Sequence, residues 1–456
     1  MNDEPGPHER TPSNDAHPLD RLKRELSLWD AVMLVVASVI GSGIFFTPGQ
    51  VAALLPDPVW ILAAWLAGGG ISLAGALANA ELAGMFPRAG GDYVYVSEGV
   101  HPVAGFAVGW LSFGIIFTGT IAALGAAFAE GVARPLGWGE TATLSLAIGV
   151  TIACSALNYI GVRWGARANN ITSVVKIVAL LAFVVIGPIV GQGDWANVWR
   201  PELGGVEGAV TATAFALAMS PILFSYLGWN ASIFVGSEIH DPARNIPRSL
   251  FIALAICTVV YLSVNVIYLY ALPLSEMVGV TDVGSAAAFA LFGPVSASLV
   301  TGFVLISILG TLSATVLVGP RIAYAMALDG HFFGGVARVT DEYRTPGVAI
   351  IVQGVISCGL LLVLRSFPSA LDFTTFAILL AAIADVTALF LLRVRDPSRP
   401  RPYRAWGYPG VPALYALVSA AIAVSLALAN PLETVVCLGL LAAGMPFYVW
   451  FRRGAG

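Results

Sequence analysis

The sequence predicts an all-α integral membrane protein with twelve transmembrane helices, and three observations carry that prediction. The chain has 456 residues, 57% apolar and only 11% charged, with a mean hydropathy of +0.83. A water-facing exterior of this size takes roughly 25% charged residues, so most of this surface must face lipid. The second observation is length: apolar runs of the ~20 residues that cross a ~30 Å hydrocarbon core recur along the chain. The third is the placement of positive charge, which alternates between connecting segments.

Residues 1–20 are rich in Pro, Asn, Asp and His without apolar periodicity, and read as a disordered tail. The first apolar run follows Arg21, Lys23 and Arg24. It is too long for a signal h-region and lacks a small-residue cleavage site, so it should persist as the first span. The spans read as 28–54, 58–83, 102–130, 141–161, 166–190, 208–236, 247–272, 285–327, 346–366, 370–393, 411–429 and 431–451. The eighth is too long for one straight crossing and is expected to end in an interfacial helix over 324–331. With the N-terminus inside, 19 of the 23 Lys and Arg residues fall on the inner side and three (Arg134, Arg200, Arg365) outside, leaving Lys176 within a span. A wrong span count would scramble this positive-inside asymmetry, so both termini are expected in the cytoplasm, at an inner membrane.

The second span is crowded with small residues, among them Ala67, Gly68, Gly69, Gly70 and Gly75. Lipid gives helices no hydrophobic reason to associate, so close backbone approach marks this span as central. The cysteines Cys154, Cys257, Cys358 and Cys437 all lie in apolar runs. They read as small buried residues, with neither disulfide framework nor metal spacing. His8, His17, His101, His240 and His331 fall in the tail or loops and read as solvated.

Two spans are interrupted in matching positions. Ser38-Val39-Ile40-Gly41-Ser42-Gly43 stands inside the first, where each mid-helix glycine costs about 1 kcal/mol relative to alanine. Phe224-Ser225-Tyr226-Leu227-Gly228-Trp229-Asn230 follows Pro221 in the sixth. A break at membrane depth frees backbone groups that must line a protein cavity. Paired breaks at the start of two five-span halves point to a substrate site. Freed N–H groups at a half-helix end suit a carboxylate and freed carbonyls suit an ammonium, which a zwitterionic α-amino acid presents together. The alternative is that Gly41 and Gly43 only permit tight helix packing.

These residues resemble the amino acid–polyamine–organocation superfamily, and within it the L-type amino acid transporter branch. The resemblance covers about 26–410 and rests on separated motifs: Gly41-Ser42-Gly43-Ile44-Phe45; Glu81-Leu82-Ala83-Gly84-Met85-Phe86-Pro87-Arg88-Ala89-Gly90-Gly91-Asp92-Tyr93; Phe224 through Asn230 with Glu238 and Asp241 through Arg248; and Arg321, Asp329-Gly330-His331 and Arg344-Thr345-Pro346. It implies a leucine-transporter-like fold: inverted repeats over 26–190 and 208–393, then two added helices over 411–451. It also implies that Val39, Ile40, Gly41, Ser42 and Gly43 hold the substrate carboxylate and amine, with Phe224 as aromatic gate and Asn230 as a polar contact. Tyr226 and Trp229 are expected beside them, as an aromatic cage if the substrate is cationic. Two departures stand out. Residues 131–140 lack the cysteine that joins eukaryotic light chains to a glycoprotein, so no disulfide-linked heavy chain is expected, and Leu227 replaces a glycine and narrows the pocket.

Charges inside the membrane are costly and mark function. Lys176 lies ten residues into the fifth span, about 15 Å along it. In the resembling family a lysine there stands where sodium-driven relatives bind sodium, which implies an ammonium bridging helices one, five and eight and sodium-independent transport. Proton coupling through Lys176, or simple snorkelling, are the alternatives. Asp385, eight residues before Arg393, either pairs with an inner-side arginine or joins a proton path. Glu81 and Glu238, at inner span ends, read as gate residues paired with Arg88, Arg244 or Arg248.

The spans offer too few acids, bases or ligands for a membrane enzyme and no repeated polar rings for a channel. Transport remains, with no cofactor, metal or nucleic acid expected. No acidic residue stands near the first break or in 224–230, which favours neutral amino acids over cationic ones or amines. Exchange and proton symport stay open.

Overall fold

The computed structural model describes residues 20–200, 210–364, 367–429 and 431–454. Apart from Asp20, the tail expected over 1–20 lies outside these residues, as does the start of the expected sixth span at 208–209. The described residues are helical, with no strand and only two isolated bridges, Leu26 with Ile239 and Ala89 with Val235.

The first span is α1 (Leu28–Val39), α2 (Gly43–Phe46) and α3 (Pro48–Leu54), followed by α4 (Pro58–Met85) and a short α5 (Asp92–Gly99). The third span is α6 (Pro102–Leu111), a π-helical turn at Ser112–Phe117 and α7 (Thr118–Leu136). Then come α8 (Glu140–Tyr159), α9 (Val162–Val190), α10 (Ala212–Tyr226), the short α11 (Ala231–Phe234) and α12 (Pro242–Ala271). After α13 (Leu274–Met277) follow α14 (Val283–Phe292), α15 (Pro294–Val318) and α16 (Pro320–Leu328). The last four are α17 (Gly347–Leu364), α18 (Phe367–Arg395), α19 (Gly410–Ala429) and α20 (Pro431–Gly454). Among the described residues ten helices are long and apolar enough to cross a membrane. Three shorter apolar helices, α10, α14 and α17, stand beside them, a range that includes the twelve expected crossings.

The ends of these helices follow from local chemistry. Ser27 and Asp30 form a reciprocal capping box that starts α1. Asp57 caps α4 by accepting the Val59 N–H at 2.8 Å, and Pro58, Pro102, Pro242 and Pro294 occupy first-turn positions where no N–H is needed.

The eighth segment departs from expectation. Its surplus length lies at the start, where Gly293 (φ 84°) separates α14 from α15. At the far end Gly319 stays helical, so α16 continues α15 without a break, and Tyr324 is fully buried.

The two interrupted spans lie at the centre. Every residue of α1 from Ala31 to Ala37 is buried, enclosed by α9, α12 and α15. The small-residue helix α4 packs on α10, α12, α18 and α19. A Cβ at Gly75 would lie 2.7 Å from the Tyr415 ring and 2.8 Å from that of Trp229, so this glycine admits both aromatics. Peripheral helices carry the opposite pattern: Ile171, Val178, Val185 and Ile189 of α9 are exposed, an apolar face suited to lipid.

Candidate functional site

Both expected breaks form. α1 stops at Val39, Ile40 leaves helical geometry (ψ 85°), and the chain resumes as α2. The N–H groups of Ser42, Gly43 and Ile44 meet no acceptor among the described residues. α10 stops at Tyr226, and Gly228 takes φ 93° before α11 begins. The breaks interlock through their glycines. A Cβ on Gly43 would lie 2.7 Å from Ser225 Oγ and 2.8 Å from Ser225 Cα, and one on Gly228 would lie 2.9 Å from the Ser38 carbonyl oxygen. Tight packing and an open backbone therefore coexist here. Ser225 Oγ also lies 2.9 Å from Thr47 Oγ1, tying the second break to α3.

Between the breaks lies a cavity of about 150 Å³. Val39, Gly41, Ser42, Gly43, Phe224, Trp229 and Asn230 line it, as expected, and so does Leu227. Two expected residues do not. Ile40 is buried beside the cavity and contributes its carbonyl to Lys176 instead. Tyr226 turns away: its hydroxyl donates to Trp65 O (3.2 Å) and its ring packs on Trp65 and Tyr261. The helix continues through Tyr226, so the next wall residue is the far side of the turn, not this side chain.

Lys176 is fully buried in α9. Its ammonium donates to Ala37 O (3.0 Å), Ile40 O (2.7 Å) and Thr311 Oγ1 (3.0 Å), joining the first, fifth and eighth spans. Thr311 and Ser307 donate to the same carbonyls, at 2.8 Å to Ala37 O and 3.2 Å to Ile40 O. Snorkelling is ruled out by this geometry.

Three elements that sequence reading did not single out complete the site. The Tyr261 hydroxyl of α12 sits 2.8 Å from Val39 O and 2.9 Å from Ser225 O, donating to one at a time and bridging both breaks. The π-helical turn brings Ser112 to the cavity wall. Asn79 of α4 and Asp92 of α5 also line the cavity, together with Asp385 and Tyr415. Asp385 was singled out as a charge within a span; of the others only Asp92 carried a signal, its place in the motif after the second span.

The expectation that no acidic group reaches the pocket is thus overturned, and so is the pairing of Asp385 with an inner-side arginine. Asp385 Oδ2 accepts from Asn79 Nδ2 at 3.0 Å and its carboxyl contacts that of Asp92. Arg393 lies farther along α18 and binds Glu81 at 2.7 Å. Glu81 also takes Arg401 Nε (3.1 Å) and the Ala405 N–H (2.6 Å). Glu238 receives Arg321 in a buried bidentate pair, both contacts 2.8 Å, and its carbonyl accepts the Glu25 and Leu26 N–H groups. Neither glutamate meets Arg88, Arg244 or Arg248: Arg88 pairs with Glu98 and Arg244 with Asp241. Arg244 and Arg248 are exposed on the first turns of α12 and Arg88 is half-buried on the loop before α5, while Arg321 and Arg401 are drawn into the bundle. His331 is half-buried rather than solvated, 2.9 Å from the Tyr93 hydroxyl, and Cys154, Cys257 and Cys437 are buried while Cys358 is half-buried.

A multi-pass helical bundle around a solute-sized cavity walled by two broken helices is the construction of a membrane transporter. Comparison with known proteins gives the particular family. Residues 26–442 match the model of a family described as amino acid permease. The chain is 30% identical over 436 residues to the serine/threonine exchanger SteT of Bacillus subtilis (strain 168), covering 95% of this chain and 98% of the relative. It is 28% identical over 446 residues to the human large neutral amino acids transporter small subunit 2, covering 94% and 80%. It is also 27% identical over 438 residues to the human b(0,+)-type amino acid transporter 1, covering 94% and 88%. The chain belongs to the amino acid permease family: it is a multi-pass membrane protein that transports amino acids, not an enzyme.

Proposed function

We propose that this protein is a sodium-independent transporter of small neutral L-amino acids, working by alternating access around the two broken spans. The observation that carries this reading is the set of unpartnered N–H groups at Ser42, Gly43 and Ile44, beside a cavity lined by Ser42 and Gly43. They suit the substrate carboxylate, and the free carbonyls of Ser38 and Gly41 suit its ammonium. A cavity of about 150 Å³ is of the size that takes a benzene-sized ligand, which favours a short side chain, and Leu227 helps to keep it small. The name of the Bacillus relative, a serine/threonine exchanger, agrees. Phe224 is the aromatic gate and Asn230 a polar contact from the sixth span. Lys176 stands in for the cation that a sodium-driven protein would need beneath the first break.

The arrangement is read as two inverted five-span repeats followed by α19 and α20. Both termini lie in the cytoplasm of a cell whose inner membrane holds the protein, and Glu81 with Arg393 and Arg401, and Glu238 with Arg321, lock the cytoplasmic side. The protein works without a disulfide-linked heavy chain, because 131–140 offers no cysteine. A second reading, cationic amino acids or amines, draws on Asp92 and Asp385 in the cavity wall.

Counterflow tests the first reading: proteoliposomes loaded with unlabelled serine should accumulate radiolabelled serine at equal pH on both sides. Uptake should be the same in sodium and in choline, and should be competed by alanine and threonine but not by arginine or a diamine. Sodium stimulation, or accumulation of arginine in place of serine, would overturn it.

A further inference from the structure

Asp92 and Asp385 are 4% and 1% exposed and line the same cavity as the first break. Their carboxyls touch. A hydrogen bond between two carboxyl groups exists only when one carries a proton, and two carboxylates in contact away from water repel strongly. Among the described residues no cationic side chain relieves that repulsion. Toward the pair face Asn79 of α4, an uncharged donor, Tyr95 of α5 and Tyr415 of α19. The nearby charges Glu81, Arg393 and Arg401 satisfy one another. A second observation points to a ligand: Asp92 Oδ1 and Asp385 Oδ1 are buried without any hydrogen-bond partner.

We infer that Asp92 and Asp385 form a one-proton site and that this proton crosses the membrane with the amino acid. This rests on the transport reading above and deepens it by naming the coupled ion. On loading, an O–H bond forms at one carboxylate oxygen and the second carboxylate accepts it. On release that bond breaks and the proton leaves to the opposite side. One zwitterion and one proton cross per cycle, so each cycle carries one positive charge. The coupling comes from geometry. The two carboxyls stand on different elements, α5 and α18, and α18 also borders the cavity. A movement that opens the cavity and parts them returns each to an ordinary carboxyl that gives up its proton. Binding that depends on which state is populated is what linkage requires.

The test uses the full-length protein in potassium-clamped liposomes that contain a pH-sensitive dye and no amino acid. Adding serine outside should acidify the lumen, with about one proton per serine, and an acidic exterior should speed net uptake at least tenfold. In Asp385→Asn and Asp92→Asn the ratio of gradient-driven uptake to counterflow should fall at least tenfold, whatever the counterflow rate itself does. Asp385→Glu should restore that ratio. Serine entry without proton movement in the native protein overturns the inference even if both variants fail to fold, and leaves the transport reading standing. Proton movement that persists in both variants overturns it in favour of another group, Lys176 first. Arginine or putrescine entering in exchange for the proton overturns it in favour of a cation subsite. Failure of counterflow in the native protein defeats the transport reading itself.

Discussion

Removing the Lys176 charge at constant volume is the sharpest perturbation of the site. Lys176→Met keeps a long unbranched side chain, so little cavity forms, but deletes three hydrogen bonds from an ammonium. Bonds to charged groups contribute about 1.5–3 kcal/mol each. The full sum does not apply, because Thr311 already donates to Ala37 O and Ser307 to Ile40 O. Those carbonyls keep a donor after the substitution, and only the charge-assisted part is lost. That leaves about 2–4 kcal/mol favouring the arrangement in which the first break lies against α9 and α15. At 1.4 kcal/mol per decade this is roughly a 30- to 1,000-fold loss of that arrangement. Serine counterflow per folded molecule, with monodispersity and thermal unfolding as checks on folding, should fall within that range in Lys176→Met. A well-folded variant with native counterflow rate and affinity would refute the reasoning, because the ammonium would then hold nothing that transport needs.

The glycines of the first break should differ sharply. In Gly43→Ala the new Cβ would fall 2.7–2.9 Å from Ser225, including its Cα, so the backbone must move; counterflow should drop more than tenfold. Gly41→Ala meets only Thr311 Oγ1 at 3.4 Å and should lose markedly less in the same assay. The two tyrosines make a second contrast. Tyr261→Phe removes the hydroxyl shared by Val39 O and Ser225 O and should cost about 1–3 kcal/mol, a roughly 5- to 150-fold fall in transport. Tyr226→Phe removes one bond to Trp65 O outside the cavity. It should cost about 0.5–1.5 kcal/mol of stability, read as a lower unfolding temperature with transport retained.

What the sequence made legible was what costs energy within a single segment. A Gly-Ser-Gly run in an apolar stretch, a lysine in mid-span and small residues along the second span each violate the default for a lipid-exposed helix, and each proved central. What it hid depended on partners far apart in the chain. Asp385 stood out, but the inner-side arginine expected as one possible partner is not beside it, and Arg393 lies two turns away on the same helix. Eight residues of helix span about 12 Å, beyond the reach of a direct contact along one face, and Glu81 takes the arginine instead. Asp92 belongs to a loop motif and gives no hint of burial until α5 folds back under the bundle. Tyr261 and Thr311 sit in spans whose composition is ordinary. The extra helix α14 was readable in principle, since Phe292-Gly293-Pro294 is a helix stop followed by a start.

The same contacts explain how a broken helix persists in the middle of a membrane. Each unpaired backbone group away from water is expensive, and both breaks free such groups. The protein resolves this unequally. Carbonyls on the α1 side are covered: Ala37 O and Ile40 O by Lys176, Thr311 and Ser307, and Val39 O by Tyr261. The N–H groups at Ser42, Gly43 and Ile44 are left open. Most acceptors of the first break are thus satisfied by the protein, Ser38 O and Gly41 O excepted, and on the proposed reading the open donors are the ones that take the ligand. On that reading an amino acid carboxylate gains by entering because it meets donors that nothing else among the described residues satisfies. On the same reading, filling those donors lowers the cost of holding the first span broken against α10, so substrate binding and closure of the two interlocked glycine contacts favour one another.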